Sequence, residues 1–187
     1  MIIAILAGGQ SARMGSDKAV LEIGGMTLLE RTARLALAAG LPVLVVGRAC
    51  PEGWPLPEAT FIADAEPGLG PLGGLATALR HTQSSVLALA CDLPLLTADA
   101  VRWRADFYEQ VIGEFGRVTV NHGRLEPLFS IYRPFGLPLI ESRLAEGKRS
   151  LHGLIGAGEF VLDTAPDWVA AQLVNANTPE EWANIGT

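Results

Sequence analysis

Cysteine is close to absent from this chain, and the little there is offers no staple. Cys50 and Cys91 sit in unlike surroundings, without the paired spacing of a disulfide framework or a zinc site. Long apolar runs are also missing. Apolar residues make up 49% of the sequence, yet no stretch approaches the roughly eighteen residues that a membrane-spanning helix needs. Positive charge is scarce: 14 Lys and Arg stand against 20 Asp and Glu, for a net charge of −6. That balance argues against nucleic acid or an anionic membrane as the main partner. No basic region precedes the first apolar run and no small-residue cleavage site follows it, so the expectation is a cytoplasmic protein without a secretory signal. Repeats, low-complexity segments and long linkers are lacking as well. The 187 residues suffice for one substantial core and are too few for two ordinary domains.

What is there begins with Ile2 to Leu6, a short apolar run of the length expected for a strand buried on both faces. It leads into Ala7-Gly8-Gly9-Gln10-Ser11-Ala12-Arg13-Met14-Gly15-Ser16-Asp17-Lys18, where side chains shrink almost to nothing before two cations, Arg13 and Lys18. Backbone without Cβ atoms can bring its N–H groups close to a ligand, and the cations can neutralise a phosphate held there. The spacing excludes a Walker loop, which needs Gly-Lys followed by a hydroxyl residue. It also excludes the dinucleotide fingerprint Gly-x-Gly-x-x-Gly.

Further along, strands and helices alternate. A helix is expected from Thr27, its N-cap, to the stop at Gly40. Strands are expected at Leu41 to Val46, Thr60 to Ala63 and Ser85 to Ala90. Glu66 to Leu75 reads as a second glycine-rich loop, with a helix following to about His81. Asp92 follows the third apolar strand, just before Pro94, and is expected at the crevice where open α/β sheets bind ligands. A carboxylate there, with no protein partner of its own, suits Mg²⁺, which takes one or two carboxylates and completes its shell with water and phosphate oxygens. Cys91 reads as a small buried hydrophobe. A helix is expected from Thr97 to about Glu114, a strand pair at Arg117 to Asn121 and Leu128 to Tyr132 laid over the binding face, and a helix from Pro138 to Glu146. Gln172 to Val174 reads as a strand. Asn175 and Asn177 then offer amide groups on one side of an extended chain, before a helix capped by Thr178, Pro179 and Glu181. The fold class is a three-layer α/β/α sandwich, with a Rossmann-like, mostly parallel sheet and a small antiparallel excursion.

Leu6-Ala7-Gly8-Gly9, Arg13-Met14-Gly15 and Asp17-Lys18 resemble the signature of the molybdenum cofactor guanylyltransferases, within the larger nucleotidyltransferase group. Gly70-Pro71-Leu72-Gly73-Gly74-Leu75, Glu126 to Tyr132 (with Ile131 in place of a leucine), Gly147 to Ser150 and Asn175-Ala176-Asn177-Thr178-Pro179-Glu180 extend the resemblance in order along the chain. It implies transfer of GMP from GTP to the terminal phosphate of molybdopterin, with Mg²⁺, release of pyrophosphate and formation of a guanine dinucleotide. It implies one nucleotidyltransferase domain over residues 1–187, with a nucleotide half of about 1–96 and an acceptor half of about 97–187.

The GTP contacts so implied are Leu6, Ala7, Gly8, Gly9, Lys18, Asp64, Gly74 and Asp92. Arg13, Lys18 and Asp92 carry the catalysis, Asp92 holds the metal, and Arg149, Asn175 and Asn177 hold the acceptor. Contacts with other cofactor-biosynthesis proteins or recipient molybdoenzymes are implied as well. The histidines receive no role, since an ionised phosphate needs no general base. The family's Asn after the second strand is replaced here by Gly47 or Arg48, so no site role is carried to that position. Guanine is favoured by Leu-Ala-Gly-Gly, because related cytidylyltransferases tend to carry Ala-Ala-Gly there. Another nucleotidylyltransferase, using CTP or UTP with a molybdopterin or sugar-phosphate acceptor, and a non-catalytic nucleotide-binding module are the alternatives.

Overall fold

Strand β1 (Ile2–Leu6) lies at the middle of the sheet in the computed structural model, which describes residues 1–8, 18–107 and 115–176. A one-turn 3-10 helix at Lys18–Val20 precedes a small hairpin of β2 (Glu22–Ile23) and β3 (Met26–Thr27), turned by Gly24 and Gly25. Helix α1 (Leu28–Ala38) then starts where its cap predicts: Thr27 Oγ1 accepts the Glu30 N–H at 3.1 Å. Such a cap stabilises by about 1 kcal/mol. Strand β4 (Val43–Val46) buries all of its side chains, and β5 (Ala59–Ile62) follows a loop pinned by Trp54, whose Nε1 donates to Leu56 O at 2.9 Å.

Helix α2 (Gly70–Thr82) corrects the sequence expectation, since Gly70 to Leu75 are helical and only the residues before them form a loop. Pro71 suits the first helical turn, where its missing N–H costs nothing. Gly73 lies against the helix's own N-cap residue, where an added Cβ would be 2.5 Å from Leu69 Cβ. A Cβ on Gly74 would lie 3.5 Å from Leu6 Cδ2 and 3.9 Å from Val46 Cγ1. Strand β6 (Val86–Leu89) and helix α3 (Ala98–Asp106), capped by Thr97, come next. The expected continuation of α3 to Glu114 falls largely outside the described residues.

Strands β7 (Gly116–Asn121) and β8 (Arg124–Tyr132) form the expected hairpin, joined through His122 and Gly123 at φ 46° and 79°. Paired left-handed residues match the twist of a two-residue hairpin. The hairpin lies within the main sheet and is not laid over the binding face: β8 pairs antiparallel with both β6 and β7. Helices α4 (Leu137–Ala145) and α5 (Leu151–Ala157), strand β9 (Phe160–Thr164) and the short α6 (Asp167–Ala170) complete the order. The strand expected at Gln172 to Val174 is absent. Gln172 N–H and Leu173 N–H bond back to Val169 O and Ala170 O, closing the α6 turn.

The seven strands run in the order β5-β4-β1-β6-β8-β7-β9, with β8 the antiparallel member. One face of the sheet is covered by α1, α3 and α6, through Leu28, Leu29, Ala33, Val101 and Val169. The other is covered by α2, α4 and α5, through Leu72, Leu75, Ile140 and Leu154. Burying each such aliphatic side chain stabilises by about 1.5–3 kcal/mol. Among the described residues no helix is long and apolar enough to cross a membrane.

From β1 the chain moves outward to β4 and β5, and α2 then carries it back past β1 to β6. The order reverses between β1 and β6, so the crevice beyond their carboxyl ends is where such a sheet takes a ligand.

Candidate active site

Beyond β1 and β4 the ladder continues for one more step: Ala7 N–H donates to Val46 O and Gly47 N–H to Ile62 O, each at 2.9 Å. This brings Gly8 and Gly47 back to back. A Cβ on Gly8 would meet Asp64 Oδ2 at 2.6 Å and Gly47 Cα at 2.9 Å, and Gly47 itself holds φ at +99°. Only a backbone without side chains fits here. The half-buried Asp64 therefore stands in a glycine cradle, with Gly74 of α2 on its far side, where an added Cβ would be 3.7 Å from Asp64 Oδ1. That oxygen is buried and makes no hydrogen bond among the described residues. Burial pushes the carboxyl above its ordinary pKa. An unpaired buried oxygen beside open backbone is a place for a ligand's N–H or O–H donors. Leu6 and Gly74 shape this floor by packing. Arg48, given no role from the sequence, donates through Nε to Ala7 O at 3.3 Å and braces the first loop.

Asp92 stands at the mouth beyond β6, as its place before Pro94 implied, but not without a partner. Lys18 Nζ lies 3.5 Å from Asp92 Oδ2, with the two side chains 22% and 25% exposed. A long, part-exposed ion pair of this kind contributes little to stability, about 0–1 kcal/mol. The backbone around it is fixed: Ala176 N–H donates to Asp92 O at 3.0 Å, and Arg31 Nη2 to Pro94 O at 2.8 Å. Cys91 is buried as expected. Gly9, Arg13 and Asn177 lie outside the described residues.

The same mouth opens into a cleft of about 970 Å³ lined by Asp92, Arg149 and Asn175, together with Asn121, Glu126 and His152. Arg149 Nη1 donates to Gly68 O at 2.9 Å, tying the basic step before α5 to the loop before α2. Asn121 Nδ2 donates to Glu126 Oε1 and to Leu173 O, both at 3.3 Å, and so holds the segment that carries Asn175. Glu126 is half-buried, and burial raises its pKa against the opposing pull of Asn121, Arg124 and His152. Neither Asn121 nor Glu126 was assigned from the sequence. The available signal was Pro127, which marks where β8 enters the sheet beside the end of β6.

Among the described residues no group of three or more His, Cys, Asp and Glu side chains could hold a metal ion. The part-exposed Asp92 nevertheless fits a hard divalent cation that draws its other ligands from water and phosphate oxygens. The Lys18–Asp92 pair thus sets a cation and a carboxylate at the mouth of the cleft that Arg149 and Asn175 line.

The sequence profile of the MobA-like NTP transferase domain matches residues 3–160. A protein of Carboxydothermus hydrogenoformans named "Probable molybdenum cofactor guanylyltransferase" is 32% identical, the alignment covering 99% of this chain and 94% of that one. A protein of the same name from Synechococcus elongatus is 35% identical over 95% of this chain and 94% of its own. The crystal structure of molybdopterin-guanine dinucleotide biosynthesis protein A from Archaeoglobus fulgidus superposes with a TM-score of 0.81 at 23% identity, covering 98% of this chain and 96% of that chain, and shares the fold. The chain belongs to the MobA-like NTP transferase domain family.

Proposed function

We propose that the protein transfers GMP from GTP to the terminal phosphate of molybdopterin, releasing pyrophosphate and forming a guanine dinucleotide cofactor. The observation that carries the reading is the Lys18–Asp92 pair, whose carboxylate lines the cleft together with Arg149 and Asn175. The reaction brings a phosphate monoester against an α-phosphate, so catalysis is mainly alignment and charge neutralisation.

On this reading the backbone at Gly8 and Gly9 contacts the nucleotide, and Asp64 accepts donors of the guanosine. Arg13 and Lys18 hold the triphosphate and stabilise charge as it moves onto pyrophosphate. Arg149, Asn175 and Asn177 orient the acceptor so that its phosphate oxygen faces the α-phosphorus. That phosphate is already largely ionised at neutral pH, its second pKa being about 6, so no side chain need remove a proton. Asp92 would hold the divalent ion, Mg²⁺ by its ligand preferences, which when bound neutralises the phosphate oxygens. The nucleotide half then corresponds to about residues 1–96 and the acceptor half to about 97–187. A cytoplasmic site of action, and hand-over to recipient molybdoenzymes or other cofactor-biosynthesis proteins, complete the proposal.

The test uses GTP labelled at its α-phosphate, with Mg²⁺ and molybdopterin. Label appearing in a guanine dinucleotide is the expected result. Label that stays in GTP, or appears only as free GMP, contradicts the proposal.

A further inference from the structure

Strand β8 is the antiparallel member of the sheet, so its beginning and not its end reaches the ligand mouth. Leu89, the last residue of β6, pairs with Phe129 of β8, and three residues beyond that pair lie Asp92, past the end of β6, and Glu126 on β8. Glu126 therefore sits in the cleft wall beside the proposed reaction centre, on its acceptor side. Its side chain is held from behind, since the Asn121 amide donates to Oε1 and is itself anchored to Leu173 O. An ionised carboxylate has about four acceptor sites; the Asn121 amide uses one of them at 3.3 Å, leaving others to donors from water or a ligand in the cleft.

The surroundings narrow what can supply those donors. Arg124 and His152 favour the ionised form of Glu126, and Asp92 opposes it. A cationic ligand group would meet repulsion from Arg124, whereas neutral N–H donors would not. Leu93, Leu128 and Val174 give the same cleft apolar surface against which a flat ring can lie. A neutral planar heterocycle with two adjacent N–H groups satisfies both conditions, as the amino edge of a pterin does.

We propose that Glu126 is a specificity residue that accepts the 2-amino and N3 hydrogens of the acceptor's pterin ring, selecting a 2-amino-4-oxopteridine over its 2,4-dioxo counterpart. The inference rests on the molybdopterin reading above. In a dioxo ring the 2-position carries an oxygen, which would face the carboxylate lone pairs. A site built to accept a donor disfavours the analogue that lacks it, because the carboxylate then faces a second acceptor in place of an N–H.

The experiment measures the affinity of the full chain for 6-hydroxymethylpterin phosphate and for the matching 6-hydroxymethyl-lumazine phosphate by ring fluorescence. Wild type, Glu126→Gln and Glu126→Ala are compared, and the thermal shift with GTP reports that each variant is folded. Wild type should prefer the pterin by about 10²-fold, the usual scale for lost hydrogen bonds to a charged group. Glu126→Gln should level or reverse the preference, because its amide can donate to the 2-oxo group while still accepting from N3–H. Glu126→Ala should bind the pterin about 10-fold or more weakly and lose the preference. A Glu126→Gln protein that keeps the wild-type preference, or whose defect is only a raised Mg²⁺ requirement, overturns the proposal while leaving GMP transfer to molybdopterin intact. A wild type that neither binds the pterin nor transfers GMP to molybdopterin overturns the acceptor reading and this inference with it.

Discussion

The Lys18 ammonium stands 3.5 Å from the Asp92 carboxylate across 74 positions of sequence, joining the end of the first loop to the end of β6. Both side chains keep some exposure, so the pair contributes little to folding. Its consequence is a local arrangement of charge. A cation and a carboxylate, neither deeply buried, share the mouth of the cleft in a protein whose net charge is negative.

Lys18→Ala should leave the melting temperature near that of the wild type and slow pyrophosphate release by about 10²–10³, the usual cost of losing one preorganised contact to developing charge. Steady-state turnover with GTP, Mg²⁺ and molybdopterin measures it. Near-normal turnover would remove Lys18 from the transition state.

Gly8→Ala should damage both fold and site, because the new methyl would lie 2.6 Å from Asp64 Oδ2 and 2.9 Å from the Gly47 backbone. The backbone cannot yield as a flexible side chain would, so a loss of about 1–3 kcal/mol is expected. Denaturant unfolding reads the stability, and the thermal shift with GTP reads the binding. Wild-type values for both would place the loop elsewhere.

Asp64→Asn should separate stability from binding. Burial raises the folded pKa of Asp64, so its stability contribution is complete below the ordinary carboxylate value near pH 4 and is lost as pH rises through the folded value. At pH 7 the amide variant carries no ionisation penalty, and its melting temperature without ligand should equal or exceed that of wild type. GTP affinity should nevertheless fall about 10-fold or more, the scale of a charge-assisted hydrogen bond. Calorimetric titration with GTP at pH 7 measures the fall, and unchanged affinity would remove Asp64 from the nucleotide site.

Asp163 carries the opposite sign. Burial opposes its ionisation, but hydrogen bonds from Arg117 and Arg104 outweigh burial and hold the carboxyl below its ordinary pKa. Its contribution is therefore complete above about pH 4 and drains away as pH falls through the folded value. Arg104 is fully buried. Asp163→Asn strips it of its anionic partner, which should cost about 3–5 kcal/mol. Melting curves from pH 7 down to pH 3 should fall steeply for wild type and start lower, with a gentler slope, for the variant.

These residues also show what the sequence could and could not reveal. Ile2 to Leu6 was legible because a strand buried on both faces is a continuous apolar run, and α1 because Thr27 and Gly40 mark its ends. Strand β9 was missed. At this edge of the sheet Leu162 points outward while Asp163 turns in to Arg104 and Arg117, which inverts the usual pattern. Gly70 to Leu75 read as loop because glycine is a poor helix former, and the burial of Leu72 and Leu75 in the core is what holds the segment in the helix. Asp92 was found from its place after a strand and Lys18 from the first motif, yet their pairing was not. No local pattern reports a contact between residues so far apart. Glu126 and Asn121 were hidden for the same reason: the antiparallel entry of β8 is what brings them to the cleft.

Guanylyl transfer to a molybdopterin phosphate is read out by pyrophosphate release with GTP, ATP, CTP and UTP in turn. Each is measured with Mg²⁺, with and without molybdopterin. Release should depend on the acceptor and be fastest with GTP by a wide margin. Faster release with CTP or UTP, or release indifferent to molybdopterin, would contradict it.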